Sequence, residues 1–306
     1  KVDLDNDYLL CSNLIKEKLF DKVLQKKEKK FFLNEIKRLT KKVIENKGKY
    51  SIEYCFGEVE RLNYQFEKDN KININNLDYL IKKCRDVGTL NFSILARHGF
   101  IAKSFLNSLI QKKVLKKNKV DSFEQNLNTI TTQMLNDATK VKSKGINKKK
   151  FMKKYGHLRP GTYDIGSKRY DQMKNFKFNA KRKKTRPFKL SKIEKLKINK
   201  LLKKNGFKLN SDKFLDYIKS SLILREYSKF VFTKYLSLIL EIIAKFAQKK
   251  NISRQDISNI DVNNFLNNKF LKIKKSDLNI LINKNKDKQN INKQIKLPSL
   301  IIDKSN

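Results

Sequence analysis

Two histidines stand in the 306 residues, and each lies beside an arginine, His98 after Arg97 and His157 two places before Arg159. The second pair belongs to a dense stretch, Tyr155-Gly156-His157-Leu158-Arg159-Pro160-Gly161-Thr162-Tyr163-Asp164. It crowds an imidazole, a guanidinium, two phenols and a carboxylate onto a segment shaped by Gly and Pro. Such a loop can turn tightly while a helical scaffold holds its ends, and binding groups are often placed this way. Arg159 has the planar fork to clamp a phosphate or carboxylate, and His157 can exchange a proton near neutral pH. The same side chains would also suit a buried network in which His, Arg and Asp satisfy one another. Both readings stand at this level.

The first pair sits in Leu95-Ala96-Arg97-His98-Gly99-Phe100-Ile101-Ala102, where the spacing is helical. A histidine on such a face is more often a satisfied core group than a ligand. Arg225 and Lys229 fall one turn apart with Glu226 offset, a strip that could face an anion or simply pair along a helix surface. Other chemistry is absent from the sequence. Cys11, Cys55 and Cys84 are odd in number, far apart and without a C-x-x-C pair, so neither a disulfide framework nor a metal site is expected, and a reducing cytoplasm fits. No G-x-G-x-x-G, P-loop or G-x-S-x-G occurs. Scattered acids leave a glycosidase-type carboxylate pair open.

The elements that must carry these residues read as helices. Leu9, Leu10, Leu14, Ile15, Leu19, Phe20 and Leu24 recur at three- and four-residue steps, and Phe31, Phe32, Ile36, Leu39 and Val43 continue them to a stop near Gly48. A second series runs from Leu90 to Ile110, and a third comprises Phe123, Leu127, Ile130, Met134 and Leu135. Ser191 with Glu194, and Ser253 with Asp256, have the form of helix caps. From Ser211 to Lys249 neither Gly nor Pro interrupts the chain; one helix there would be about 55 Å long. The expectation is an all-α protein with an irregular, Gly- and Pro-containing region in the middle. Its expected blocks are helical 1–144, a motif-bearing connector 145–187, helical 188–272, and a Lys/Asn-rich exit segment 273–306. Pro298 favours an extended exit.

The net charge is +42, which invites a polyanion partner, and 39% of residues are hydrophobic, enough for a real core. Of the 72 basic residues only 10 are Arg, the preferred reader of bases and phosphates. Lys, Asn and Ile are what AT-rich codons supply, so genome composition accounts for much of the Lys excess and argues against nucleic acid. Lys148-Lys149-Lys150, Lys153-Lys154 and Lys181-Arg182-Lys183-Lys184 ahead of Arg186-Pro187 read as solvated surface or linker. The greasiest region, 220–247, is broken by six charges, and no membrane partner is expected.

The stretch from Phe151-Met152-Lys153-Lys154-Tyr155 through Asp164 resembles a segment of phosphoenolpyruvate synthase-like and pyruvate, phosphate dikinase-like proteins, shared by rifampicin phosphotransferase. Phe92–Ala102, Arg225–Thr233 and Leu297-Pro298-Ser299-Leu300-Ile301 support the match in order, so it covers roughly residue 91 to the C-terminus. The resemblance implies an ATP-grasp domain, a helical middle region, and a swivelling domain whose histidine is phosphorylated by ATP, with release of AMP and phosphate, before passing the phosphoryl group to a small acceptor. His98 and His157 both belong to the middle-region pattern, so the phosphorylated histidine, ATP and Mg2+ are expected outside this chain, which alone would be inactive. The chain, which does not open on Met, is expected to be a fragment or a split subunit. Its partners would be the ATP-grasp and phosphohistidine domains. On this reading Arg159 holds anionic groups, His157 orients or protonates, Tyr163 and Asp164 fix the loop, and Arg97, His98, Arg225 and Lys229 line the same cavity. The alternative is a noncatalytic basic helical protein that binds nucleic acid or another polyanion.

Overall fold

Helical spacing in the sequence becomes helix in space. The computed structural model describes residues 24–69, 73–143, 145–173 and 187–295. The apolar series 9–20, Cys11, the basic run 181–184 with Arg186, and the closing 297–301 lie outside the described residues. Among the described residues the protein is mainly α with no strand, and no helix is long and apolar enough to cross a membrane.

Two compact units divide the chain, and neither is continuous in sequence. The first takes residues 1–60, 90–139 and 179–230, and the second takes 61–89, 140–178 and 231–306. The expected order of blocks along the chain differs from this division. The reason is that three uninterrupted helices are shared: α2 (Ile52–Asp69) between residues 60 and 61, α6 (Ile130–Lys142) between 139 and 140, and the long α9 (Ser211–Lys249) between 230 and 231. No Gly or Pro marks any of these three boundaries.

In the first unit, α1 (Lys26–Glu45) carries Phe31 to Val43 and ends at Asn46, whose side-chain oxygen accepts from the Gly48 N–H at 3.0 Å. Next come α4 (Leu90–Gln111), α5 (Lys117–Gln125), α6 (Ile130–Lys142) and α8 (Lys192–Lys204). The third apolar series is therefore two helices rather than one. Thr129 and Thr132 break it by capping each other, the backbone N–H of each donating to the other's hydroxyl at 2.9 and 3.3 Å. Ser191 caps α8 as expected, with Glu194 closing the capping box. Phe105, wholly buried, centres the core; Phe207 and Phe214 pack on it at 5.9 and 5.0 Å, with Leu106, Ile198, Leu202 and Ile218 around them.

The second unit contains α3 (Leu77–Lys83), a π-helical turn Cys84–Thr89, α7 (Lys148–Tyr155), α10 (Arg254–Ile257), a 3-10 run Val262–Lys272 and α11 (Lys275–Gln294). Two expectations change. Helix α7 interrupts the connector, because Asn147 caps it through the Lys149 N–H and Phe151 and Tyr155 bury one face. Within the expected exit segment, Lys275–Gln294 forms α11: Leu278 and Ile282 are buried one turn apart, while Asn285 and Lys286 bond back to Asn259 and Asp256. Cys84 is a buried free thiol, pushed up to about 12 chiefly by burial, and Cys55, in the first unit, to about 11. Neither is a ready nucleophile.

Candidate functional site

The histidine-bearing loop closes on the start of the turn that follows it. Helix α7 ends at Gly156, whose carbonyl accepts the Asp171 N–H at 3.2 Å, and Leu158 accepts from Tyr170 at 2.8 Å. A side chain at 156 would stand 2.3 Å from the Met152 carbonyl and 2.9 Å from the Asp171 Cβ, so only glycine permits this approach. Further on, Asp164 caps the turn by accepting the Gly166 N–H at 2.8 Å, and the Ser167 hydroxyl accepts the Gly161 N–H at 3.1 Å. Asp164 thus helps to close this turn. Tyr163 does not, being 64% exposed.

Arg159 points inward. Its guanidinium donates to the carbonyls of Asp164 and Ser167 at 3.3 and 3.0 Å, to the Ser237 hydroxyl at 3.0 Å, and to Glu241 at 3.2 Å. Glu241, buried on α9, also accepts Arg254 through both oxygens at 3.1 and 2.8 Å and Gln172 at 2.8 Å. Arg254 in turn donates to the Ile165 carbonyl at 3.0 Å. One carboxylate thus gathers three separate stretches. Burial alone would raise its pKa; the hydrogen bonds from Arg254 and Gln172 and the charges of both arginines outweigh this and hold it below the ordinary range. For Arg159 burial wins, and its pKa is lowered despite Glu241. Protein acceptors occupy both terminal nitrogens of Arg159 while its buried Nε has no acceptor among the described residues, so the guanidinium is held as a positioning group rather than offered as an open anion clamp. His157 is buried in the same loop. Arg159 is thus held by Glu241, Ser237 and two loop carbonyls.

Arg97, His98, Arg225 and Lys229 belong to the first unit, whereas His157, Arg159, Tyr163 and Asp164 belong to the second. His98 is 2% exposed, its Nδ1 lies 3.0 Å from the Tyr217 hydroxyl, and burial pushes its pKa down to about 4, with the Glu53 charge opposing. It is neutral at pH 7. Burial likewise raises the Tyr217 phenol above its ordinary value. Arg225 lies against Gly99, with its guanidinium 5.3 Å from the Phe100 ring centroid, a cation–π contact, and Lys229 is exposed. The strip is not one anion-facing row. Arg97 and His98 do share a cavity of about 1070 Å³ between α1 and the start of α4. His98 also lines a neighbouring cavity of about 700 Å³ with Tyr217.

Sequence reasoning did not single out Glu241, Gln172 and Ser237 as partners of Arg159, nor the cations of α1. Glu241 had one signal, a single acid inside the long apolar run Leu236–Ala247, where a charge must find partners. No group of three or more His, Cys, Asp or Glu side chains among the described residues could hold a metal ion. Compared with known proteins, the chain matches no family model, no curated protein and no solved structure.

Proposed function

We propose that this chain is the central helical region of a dikinase-type phosphotransferase resembling phosphoenolpyruvate synthase. ATP, with Mg2+, phosphorylates a histidine on a swivelling domain outside the chain, and the phosphoryl group passes to a small acceptor. The observation that carries the reading is that the motif residues behave as one structural device. Gly156 allows the close approach, Arg159 anchors the loop to Glu241, and Gly161 and Asp164 shape its turn. A chance run of these residue types would have no reason to serve a single local structure. The loop then presents Tyr163 to solvent, where a docking domain or acceptor can reach it. Arg159 acts by holding the loop, not by touching the transferred group.

The test uses the complete phosphotransferase, with its ATP-grasp and phosphohistidine domains. It should release AMP from ATP and label histidine. Tyr163→Ala leaves the buried network intact, so histidine labelling should persist while transfer to the acceptor falls roughly tenfold or more, as expected for losing an aromatic anchor. ATP turnover without AMP would overturn the phosphotransferase reading. Unchanged transfer in the variant would overturn the role of the loop.

A further inference from the structure

We infer that the first unit carries a binding site for a small amphipathic anion, an apolar body bearing a phosphate, sulfonate or carboxylate, in the cavity between α1 and the start of α4. At about 1070 Å³ it has the size of a small-molecule site. Its walls have two characters. Leu39, Val43, Leu90 and Ile94 supply apolar surface, and Leu39 and Leu90 remain 59% and 43% exposed although both are large aliphatic side chains. Around them stand Arg38, Lys41, Lys42, Lys47, Lys49 and Arg97, against the single acid Glu45.

Lysine is so frequent in this chain that a lysine-rich rim alone would mean little. Arginine is scarce, 10 residues in 306, and two of them stand here. Arg38 is committed to Glu35, and Lys41 and Lys49 sit over the rings of Phe207 and Tyr50. Arg97, Lys42 and Lys47 have no acidic partner among the described residues and are exposed, so their charge is open to a ligand. Six cations to one acid select an anion, and the exposed Leu pair selects an apolar body over a bare ion.

His98 extends the site. Together with Val43, Asn46 and Lys47 it lines both this cavity and the adjoining one of about 700 Å³, so an elongated ligand would pass its ring. Tyr217 holds that ring at Nδ1, and a neutral imidazole offers a hydrogen bond without adding charge. The second cavity mixes Lys213 and Lys219 with Asp216 and Glu53, and it suits the uncharged end of the molecule.

The inference goes beyond the phosphotransferase reading and does not depend on it, since binding is measured without turnover. The probe is 8-anilinonaphthalene-1-sulfonate, an aromatic body with one fixed negative charge, titrated into the 306-residue chain at physiological salt and followed by its fluorescence. One saturable site is expected. Arg97→Ala with Lys42→Ala should weaken it roughly tenfold or more, the effect of losing charge-assisted contacts. Lys116→Ala with Lys117→Ala makes the same charge change at exposed positions of the first unit outside both cavities, and should leave binding unchanged. All four side chains are exposed, so the fold persists, and far-ultraviolet circular dichroism checks it. Unsaturable binding, or equal weakening by the two pairs, would mean attraction to bulk charge or loose apolar surface and would overturn the site.

Discussion

Replacing Glu241 with Gln removes the one carboxylate that two guanidiniums share. Its distance to Arg159 is 3.2 Å; with an effective dielectric near 20, a pair so spaced interacts by about 5 kcal/mol before desolvation is counted. The cost is unequal between the arginines. The Arg254 side chain is 33% exposed and can turn to water, whereas that of Arg159 is 2% exposed and cannot. The amide also brings an N–H2 toward Arg254 and Gln172, which are themselves donors. Breaking a buried pair in this way typically costs about 3 to 5 kcal/mol, a large part of the ~5–15 kcal/mol that holds a domain folded. With a urea m-value of about 3 kcal/mol/M, the unfolding midpoint should fall by about 1 to 1.7 M. The assay is equilibrium urea unfolding followed by far-ultraviolet ellipticity, since the chain has no Trp. Arg159→Met with Glu241→Leu should cost less than Glu241→Gln alone, because it leaves no charge stranded inside. A midpoint shift below about 0.3 M for Glu241→Gln, under ~1 kcal/mol, would refute the argument. So would a double variant worse than the single. The sign with pH follows from the lowered pKa of Glu241: its stabilisation is present above the ordinary value of 4.5 and is lost as pH falls through the lower folded value, so Glu241→Gln should be less sensitive to acid in that range.

His98 should titrate near 4 by proton NMR, assigned by the loss of its signal in His98→Gln, and a midpoint near 6.5 would refute its burial. Because the folded value lies below the unfolded one, its contribution to stability is present above pH 6.5 and lost as pH falls from 6.5 toward 4; His98→Gln should flatten that slope. Gly156→Ala should destabilise the second unit by about 1 to 3 kcal/mol through overpacking against Met152 and Asp171. An unchanged melting temperature would show that the approach is looser than described.

What the sequence determined by itself is local. Apolar residues at three- and four-residue steps specify helices wherever they face a core, and a serine followed by an acid specifies a cap through one short hydrogen bond; hence α4, α9 and the caps at Ser191 and Ser253 were legible. The Tyr155–Asp164 loop was legible as an unusual place for the same reason, since Gly, Pro and a polar packet have meaning within a few residues. The tertiary structure alone decided what those groups do. Arg159 meets Glu241 across 82 residues and His98 meets Tyr217 across 119, and no periodicity encodes a contact at such separation. The same holds for the division into units, made within uninterrupted helices. An arginine beside a histidine on a loop has the chemistry to hold a phosphate in solvent or to pin its loop to a buried helix. Which of the two it does depends on whether a carboxylate is buried opposite it, and only the folded chain supplies that carboxylate.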